Sequence, residues 1–101
     1  MLLLVALPAA SSARSCAPVV NPYPGTEYEG VDLTAIKAKN IGCKKARKVA
    51  KGGHRKGLAQ APTPSGHLDF LWRGWEVSGN LRPLSDRYEA TRGKRKVAWR
   101  F

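Results

Sequence analysis

The clearest structural pattern in the sequence lies in residues 43–51, where apolar and basic side chains alternate with helical periodicity. At about 100° per residue, one arc of about 120° holds the apolar side chains of Cys43, Ala46, Val49 and Ala50. The remaining arc holds the cations Lys44, Lys45, Arg47, Lys48 and Lys51. Gly52-Gly53 comes next, and a glycine pair is typical of the end of a helix. We therefore predict a short amphipathic helix whose small apolar side chains let it lie close on a sheet.

Strand patterns stand on both sides of this helix. The predicted strands span residues 28–38, 68–77, 87–91 and 94–101. A strand with both faces partly covered, or a bulge near Gly74, would explain the irregular alternation of the second strand. Arg92-Gly93 suits a tight hairpin between the last two strands. Residues 52–66 are rich in Gly and Pro and predict a loop. The order β-α-β-β-β predicts an α+β fold, in which one amphipathic helix packs on a small antiparallel sheet.

The two cysteines of the chain, Cys16 and Cys43, indicate a disulfide. It would tie an N-terminal arm, residues 14–30, to a single α+β domain of residues 31–101. Because a chain of 101 residues buries only a modest core, such a link would contribute about 3–4 kcal/mol to a small total stability. The alternatives are two free buried thiols, or a metal site that includes the two histidines. The spacing of these residues matches no zinc-binding motif, so we expect no bound metal.

The first 13 residues predict export. The apolar run Leu2–Leu7 is followed by small residues, and Ser11-Ser12-Ala13 fits the pattern at which signal peptides are cleaved. No basic residue precedes the apolar run, so we expect the true start of translation to lie upstream. A plain apolar strand is one alternative, and a lipid anchor on Cys16 is another, which Arg14 disfavours. No later stretch is apolar enough to span a membrane, so we expect a secreted or extracytoplasmic monomer.

Basic charge is the feature of the sequence that bears most on function. Eighteen Lys and Arg stand against seven Asp and Glu, which gives a net charge of +11. Between Lys37 and Lys56 there are nine cations and no acid. The candidate polyanion-binding residues are Lys44, Lys45, Arg47, Lys48, Lys51, Arg55 and Lys56. Such a patch attracts an anionic cell-envelope polymer, a lipid surface or nucleic acid, and charge alone does not choose among them.

The sequence contains no motif for catalysis, cofactor binding or metal binding. His54 stands in the predicted basic loop and is expected to be solvated, and His67 is expected at the edge of a strand. The large aromatic side chains are expected to fill the core instead of stacking on bases; they are Phe70, Trp72, Trp75, Tyr88 and Trp99. We therefore predict a non-catalytic protein without a cofactor. Two alternatives stay open: a structural or partner-binding secreted protein whose charge serves solubility, and a small secreted hydrolase acting on nucleic acid.

The start of the predicted helix carries a resemblance. Ile41–Ala50 is similar to the V-S-C-x-x-A-R-x-V-A motif of small uncharacterised secreted proteins of high-GC Gram-positive bacteria. Gly74-Trp75-Glu76 resembles the G-W-x-C strand of that family, and Tyr88–Gly93 resembles its Y-x-C-x-x-G hairpin. The cysteines within these two stretches of the family are missing here. Their joint absence implies that they pair with each other, which leaves Cys16 and Cys43 as partners. The resemblance implies export and the fold, and it implies no activity.

Overall fold

The computed structural model describes residues 13–60, 66–82 and 85–101 of the chain, and within these ranges one helix packs on a six-stranded sheet. The elements are β1 (Arg14–Ser15), β2 (Thr34–Lys39), α1 (Cys43–Gln60), β3 (Gly66–Trp72), β4 (Trp75–Leu81), β5 (Arg87–Arg92) and β6 (Arg95–Arg100). The strand order is β1-β2-β6-β5-β4-β3, and every neighbouring pair is antiparallel. The predicted α+β fold, with one helix on an antiparallel sheet, is confirmed. The signal peptide predicted for residues 1–13 lies, except for Ala13, outside the described residues.

The stretch predicted as one strand over residues 68–77 is two strands, β3 and β4, in one hairpin. Trp72 pairs with Trp75, and the two residues between them form the turn. Arg73 and Gly74 have φ values of 48° and 83°, the left-handed conformation that a two-residue hairpin turn requires. The predicted bulge near Gly74 was therefore wrong. The alternation of the sequence breaks there because the chain reverses, and both Trp residues lie on the same face of the sheet.

The first strand and the last hairpin differ from the prediction in smaller ways. β2 starts at Thr34 instead of residue 28, and it gains β1 from the N-terminal arm as an additional neighbour. β1 has only two residues, too few for an alternating pattern to be visible in the sequence. The last hairpin is present as predicted, although its turn falls at Gly93-Lys94. Gly93 has a φ of 61°, in agreement with its predicted role in the turn.

Helix α1 continues through the glycine pair that was predicted to end it, and it stops only at Gln60. The predicted loop over residues 52–66 was therefore wrong up to residue 60, and residues 61–65 lie outside the described ranges. The reason is packing against the sheet. A Cβ atom on Gly52 would overlap the Trp72 indole, and one on Gly57 would lie 3.0 Å from the Tyr88 ring. This close approach of helix and sheet outweighs the low helix propensity of Gly, which costs about 1 kcal/mol per residue relative to Ala.

The core lies between α1 and the face of the sheet that the helix covers. Its largest fully buried side chains include Trp99, Ile36 and Leu33. The prediction that aromatic residues form the core is confirmed for three of them, which are buried: Trp75, Tyr88 and Trp99. Phe70 and Trp72 are half-buried and pack against the same cluster.

The predicted disulfide is present between Cys16 and Cys43, whose Cα atoms are 5.4 Å apart. Both cysteines are used, so the alternatives of free thiols and of a cysteine-containing metal site were wrong. The bond ties the N-terminal arm to the first residue of α1. No helix in the described part of the chain is long and apolar enough to cross a membrane.

Candidate anion-binding surface

Four of the predicted polyanion-binding residues form a straight row on the outer face of α1. At about 100° per residue, they fall within an arc of about 60°, opposite the buried side of the helix. All four are exposed, and we call them the crest row: Lys44, Lys48, Lys51 and Arg55. Neighbouring members are three or four residues apart, so the row extends over about 16 Å of the helix. No acidic residue is present in α1, and the charge of the row is therefore not offset within the helix.

The other three predicted residues of the helix have different surroundings. Arg47 is half-buried, and its Nη2 donates a hydrogen bond of 3.0 Å to the carbonyl oxygen of Pro18. It thereby holds the N-terminal arm against the helix. Lys56 is exposed, and its Nζ donates a hydrogen bond of 2.7 Å to the carbonyl oxygen of Leu71 on β3. Lys45 lies on the side of the helix that faces the β3–β4 turn, where it lines a groove.

This groove lies at one end of the molecule, between the start of α1 and the turns of the β3–β4 and β5–β6 hairpins. We call it the hairpin groove; its volume is about 240 Å³. Its floor is apolar and consists of Ile41, Val49, Trp72 and Trp75. Its rim carries five cations, which are Lys45, Lys48, Arg73, Arg92 and Arg95. This site is not apparent from the sequence, because its cations come from three separate stretches of the chain.

No carboxylate offsets the charge of the groove. All seven acidic residues lie in the described part of the chain, and none lines the groove. The ion pairs among the described residues are Lys96–Glu89, at 3.5 Å, and His67–Asp69, at 2.9 Å, and both lie outside it. The crest row and the groove share Lys48. Together they form one continuous positive surface over the outer face and one end of the helix.

A second polar cluster lies on the open face of the sheet, the face opposite α1. His67 Nε2 is 2.9 Å from Asp69 Oδ2, and its Nδ1 is 3.0 Å from the amide oxygen of Asn80. Ser78 Oγ donates a hydrogen bond of 2.5 Å to the other Asp69 oxygen. The hydrogen bonds to Asn80 and Asp69 raise the pKa of His67, and the hydrogen bond from Ser78 lowers the pKa of Asp69.

The geometry of this cluster bears on the alternative of a hydrolase. Activation of a serine requires a hydrogen bond from its hydroxyl to the imidazole that accepts the proton. Here the Ser78 hydroxyl donates to Asp69, and both ring nitrogens of His67 have other partners. The cluster therefore lacks the hydrogen bond that would make Ser78 a nucleophile with His67 as its base. His67 is the second residue of β3 and so lies close to the start of a strand, as predicted.

His54 is buried, and its prediction as a solvated loop residue was wrong. Its Nδ1 is hydrogen-bonded to the Tyr23 hydroxyl at 2.6 Å, and the rings of Tyr88 and Phe101 pack on it at centroid distances of 5.0 Å and 4.2 Å. Burial lowers the pKa of His54 to about 3, so the imidazole is neutral. Had the helical angle been continued past Gly53, His54 would have fallen about 20° beyond Cys43, at the border of the apolar arc.

The described residues contain no cluster of three or more His, Cys, Asp or Glu side chains that could hold a metal ion. Comparison with known proteins gives no match to any family model, any curated protein or any solved structure. The resemblance of the helix start to small secreted proteins therefore stays a prediction. The fold and the surface define a class by themselves: a small, disulfide-linked α+β protein with a strongly basic helix face.

Proposed function

We propose that this protein is an exported, non-catalytic module that binds a linear polyanion along the crest row of α1. The observation that carries the proposal is the row itself: four exposed cations, three or four residues apart, on a helix without an acidic residue. A row of fixed positive charges binds a phosphate or sulfate polymer through the release of condensed counterions. The disulfide supports export, because such bonds persist in oxidising compartments.

The shape of the row favours a polymer over insertion into a lipid surface. A helix that inserts into a membrane needs large apolar side chains next to its cations. Among the described residues, the exposed large apolar side chains are Val20, Val31 and Leu71, and none of them belongs to α1. The apolar side of the helix is occupied by the sheet. The row therefore offers charge without an apolar surface beside it, which suits a soluble, extended chain of anions.

The test compares two triple variants that remove the same charge from different places. Lys44→Gln/Lys51→Gln/Arg55→Gln, the crest variant, neutralises three of the four crest-row cations and keeps Lys48, which also lines the groove. Lys37→Gln/Arg87→Gln/Arg100→Gln, the control, removes three exposed cations from the open face of the sheet. Exposed substitutions of this kind change stability by about 0.5 kcal/mol or less each, so both proteins should fold.

We expect the crest variant to bind single-stranded DNA and inorganic polyphosphate less tightly than the control variant. The slope of log affinity against log salt should fall by about 2 for single-stranded DNA, because three phosphate contacts are lost. Equal losses in the two variants would show that only net charge matters and would overturn the proposal. Binding to anionic lipid vesicles in preference to both polymers would contradict the choice of a polymer, and cleavage of the DNA that His67→Gln abolishes would establish the hydrolase instead.

A further inference from the structure

The hairpin groove has a composition that the stability of the fold does not explain. Five cations surround a small apolar floor, and no acidic residue lines it. Like charges gathered in one groove repel one another, and salt screens this repulsion only partly at separations below the Debye length of about 10 Å. Groups that break a local rule of stability in this way are found mainly at functional sites. An anion bound in the groove would offset this repulsion, because it attracts each of the cations.

Two of the arginines are held in place by the β3–β4 turn. The guanidinium carbon of Arg73 lies 5.2 Å from the centre of the Trp72 ring, in a cation–π contact. The guanidinium of Arg92 lies against the same turn, where a Cβ atom on Gly74 would be 3.4 Å from its carbon. Arginine side chains bind the oxygens of phosphate and sulfate groups through paired N–H donors. The turn thus brings the guanidinium groups of Arg73 and Arg92 to one edge of the groove.

The apolar floor adds a second requirement for the ligand. Trp72 and Trp75 lie side by side as partners across the turn, and Val49 of α1 faces them. Gly52 has no side chain, so the Trp72 indole can lie directly on the helix backbone. Because Trp75 and Val49 are already buried in the fold, a free inorganic anion would leave in contact with water mainly the half-buried part of the floor, formed by Trp72 and Ile41. An anion that carries an aromatic or other apolar group would cover it.

We propose that the hairpin groove is a binding site for a phosphate or sulfate ester of an aromatic or apolar group. The arginines at the turn hold the anionic oxygens, Lys45 and Lys48 complete the charge, and the Trp floor contacts the organic part. This site does not depend on polymer binding by the crest row. A small molecule and the end of a larger chain would present the same ester group to the groove.

The first experiment measures which anions bind. Phenyl phosphate, phenyl sulfate and inorganic phosphate are titrated into the protein, and tryptophan fluorescence reports occupancy because two of the three Trp residues form the floor. We expect saturable binding of phenyl phosphate, about tenfold tighter than that of inorganic phosphate, because part of the phenyl ring leaves water. Absence of saturable binding, or equal affinity for the two phosphates, would overturn the proposal. The affinities for phenyl sulfate and phenyl phosphate show whether the site prefers one ester.

The second experiment locates the site with variants that remove three charges each. Arg73→Gln/Arg92→Gln/Arg95→Gln should weaken phenyl phosphate binding more than tenfold and leave binding of polyphosphate to the crest row largely intact. The crest variant should weaken polyphosphate binding and leave phenyl phosphate binding largely intact. The control variant Lys37→Gln/Arg87→Gln/Arg100→Gln, here called the open-face variant, should change phenyl phosphate binding by less than twofold.

An Arg73→Lys/Arg92→Lys/Arg95→Lys variant keeps the charge and removes the paired donors, and we expect intermediate affinity from it. Equal weakening by the groove and open-face variants, with unfolding temperatures that match the unchanged protein, would refute the site. If the groove variant does not fold, the lysine variant takes its place in the comparison. Weakening of phenyl phosphate binding no greater than in the open-face variant would then refute the site.

Discussion

At the scale of single residues, Tyr23 and His54 form a buried contact between the N-terminal arm and the helix. It joins the N-terminal arm to the middle of α1 through one hydrogen bond of 2.6 Å. Burial raises the pKa of Tyr23 to about 12 and lowers the pKa of His54 to about 3. Both groups are therefore neutral at physiological pH, and neither brings a charge into the core. Arg55 is the neighbouring charge that acts on Tyr23, and Tyr88 faces His54 from β5 with its own pKa raised by burial.

The low pKa of His54 predicts a loss of stability in mild acid. The unfolded chain binds a proton at this residue near pH 6.5, and the folded protein does so only near pH 3. Between these values the unfolded state holds more protons, so the free energy of unfolding falls as the pH falls, by about 1.4 kcal/mol per pH unit. Urea unfolding at pH 7 and pH 5 should differ by about 2 kcal/mol.

The matched control for this prediction is His54→Gln. It should lower stability at pH 7, because the Tyr23 hydroxyl loses its buried partner, and it should remove the steep loss between pH 7 and pH 5. His67 is exposed and its hydrogen bonds to Asn80 and Asp69 raise its pKa, so its effect has the opposite sign and is common to both proteins. An unchanged pH dependence in His54→Gln would contradict the assignment to His54.

At the scale of the elements, the length of α1 depends on the aromatic side chains that lie under its glycines. Gly52 contacts Trp72, and Gly53 faces Trp99, whose ring would lie 3.3 Å from an added Cβ atom. An exposed helical Gly replaced by Ala stabilises a helix by up to about 1 kcal/mol. Here the packing of the sheet decides whether a Gly→Ala substitution raises or lowers the free energy of unfolding. The outcome differs between the adjacent positions Gly52 and Gly53.

We predict that Gly52→Ala destabilises the protein by about 2 kcal/mol, because the new methyl group overlaps the Trp72 indole. Gly53→Ala should be within about 1 kcal/mol of the unchanged protein, since its contact is close but not overlapping. Chemical unfolding of both variants gives the comparison. In a Trp72→Ala background, Gly52→Ala should become stabilising, as expected for a helix without the steric conflict. A Gly52→Ala protein as stable as the parent would mean that helix and sheet are less closely packed at this point.

At the scale of the whole molecule, the arm is held to the domain by several independent contacts. The disulfide joins Cys16 to the start of α1, Arg47 binds Pro18, and Tyr23 reaches His54. β1 also pairs with the edge of β2. The arm therefore completes the sheet and the core, and it is part of the folded domain instead of an appendage.

We predict that Cys16→Ser/Cys43→Ser lowers the free energy of unfolding by about 3–4 kcal/mol, the value that chain entropy gives for a separation of 27 residues. The variant should still fold, because the other contacts of the arm remain. Urea unfolding measures the loss, and titration of the unfolded, unreduced parent protein should find no free thiol. Two reactive thiols in that protein would contradict the pairing.

The residue pattern by itself predicted the elements whose signal is local. The 43–51 region showed one apolar side because a helix repeats every 3.6 residues, and the alternation in the last strand placed Val97 and Trp99 on one face. The fold class and the outward position of Lys44, Lys48 and Lys51 followed from such local patterns, whereas Arg55 joined the crest row only because α1 continues past residue 51. The disulfide followed from an even cysteine count and the signal-like start.

Only the tertiary structure decided the features that depend on contacts between distant parts of the chain. α1 passes through Gly52 and Gly53 because sheet aromatics fill the space that side chains would need. His54 is buried because Tyr23, 31 residues earlier, supplies its partner. The hairpin groove exists because the helix start and two hairpin turns meet at one end of the molecule, and cations that are far apart in sequence become neighbours there. Packing energy is summed over such contacts, so it can outweigh the propensity of any one residue.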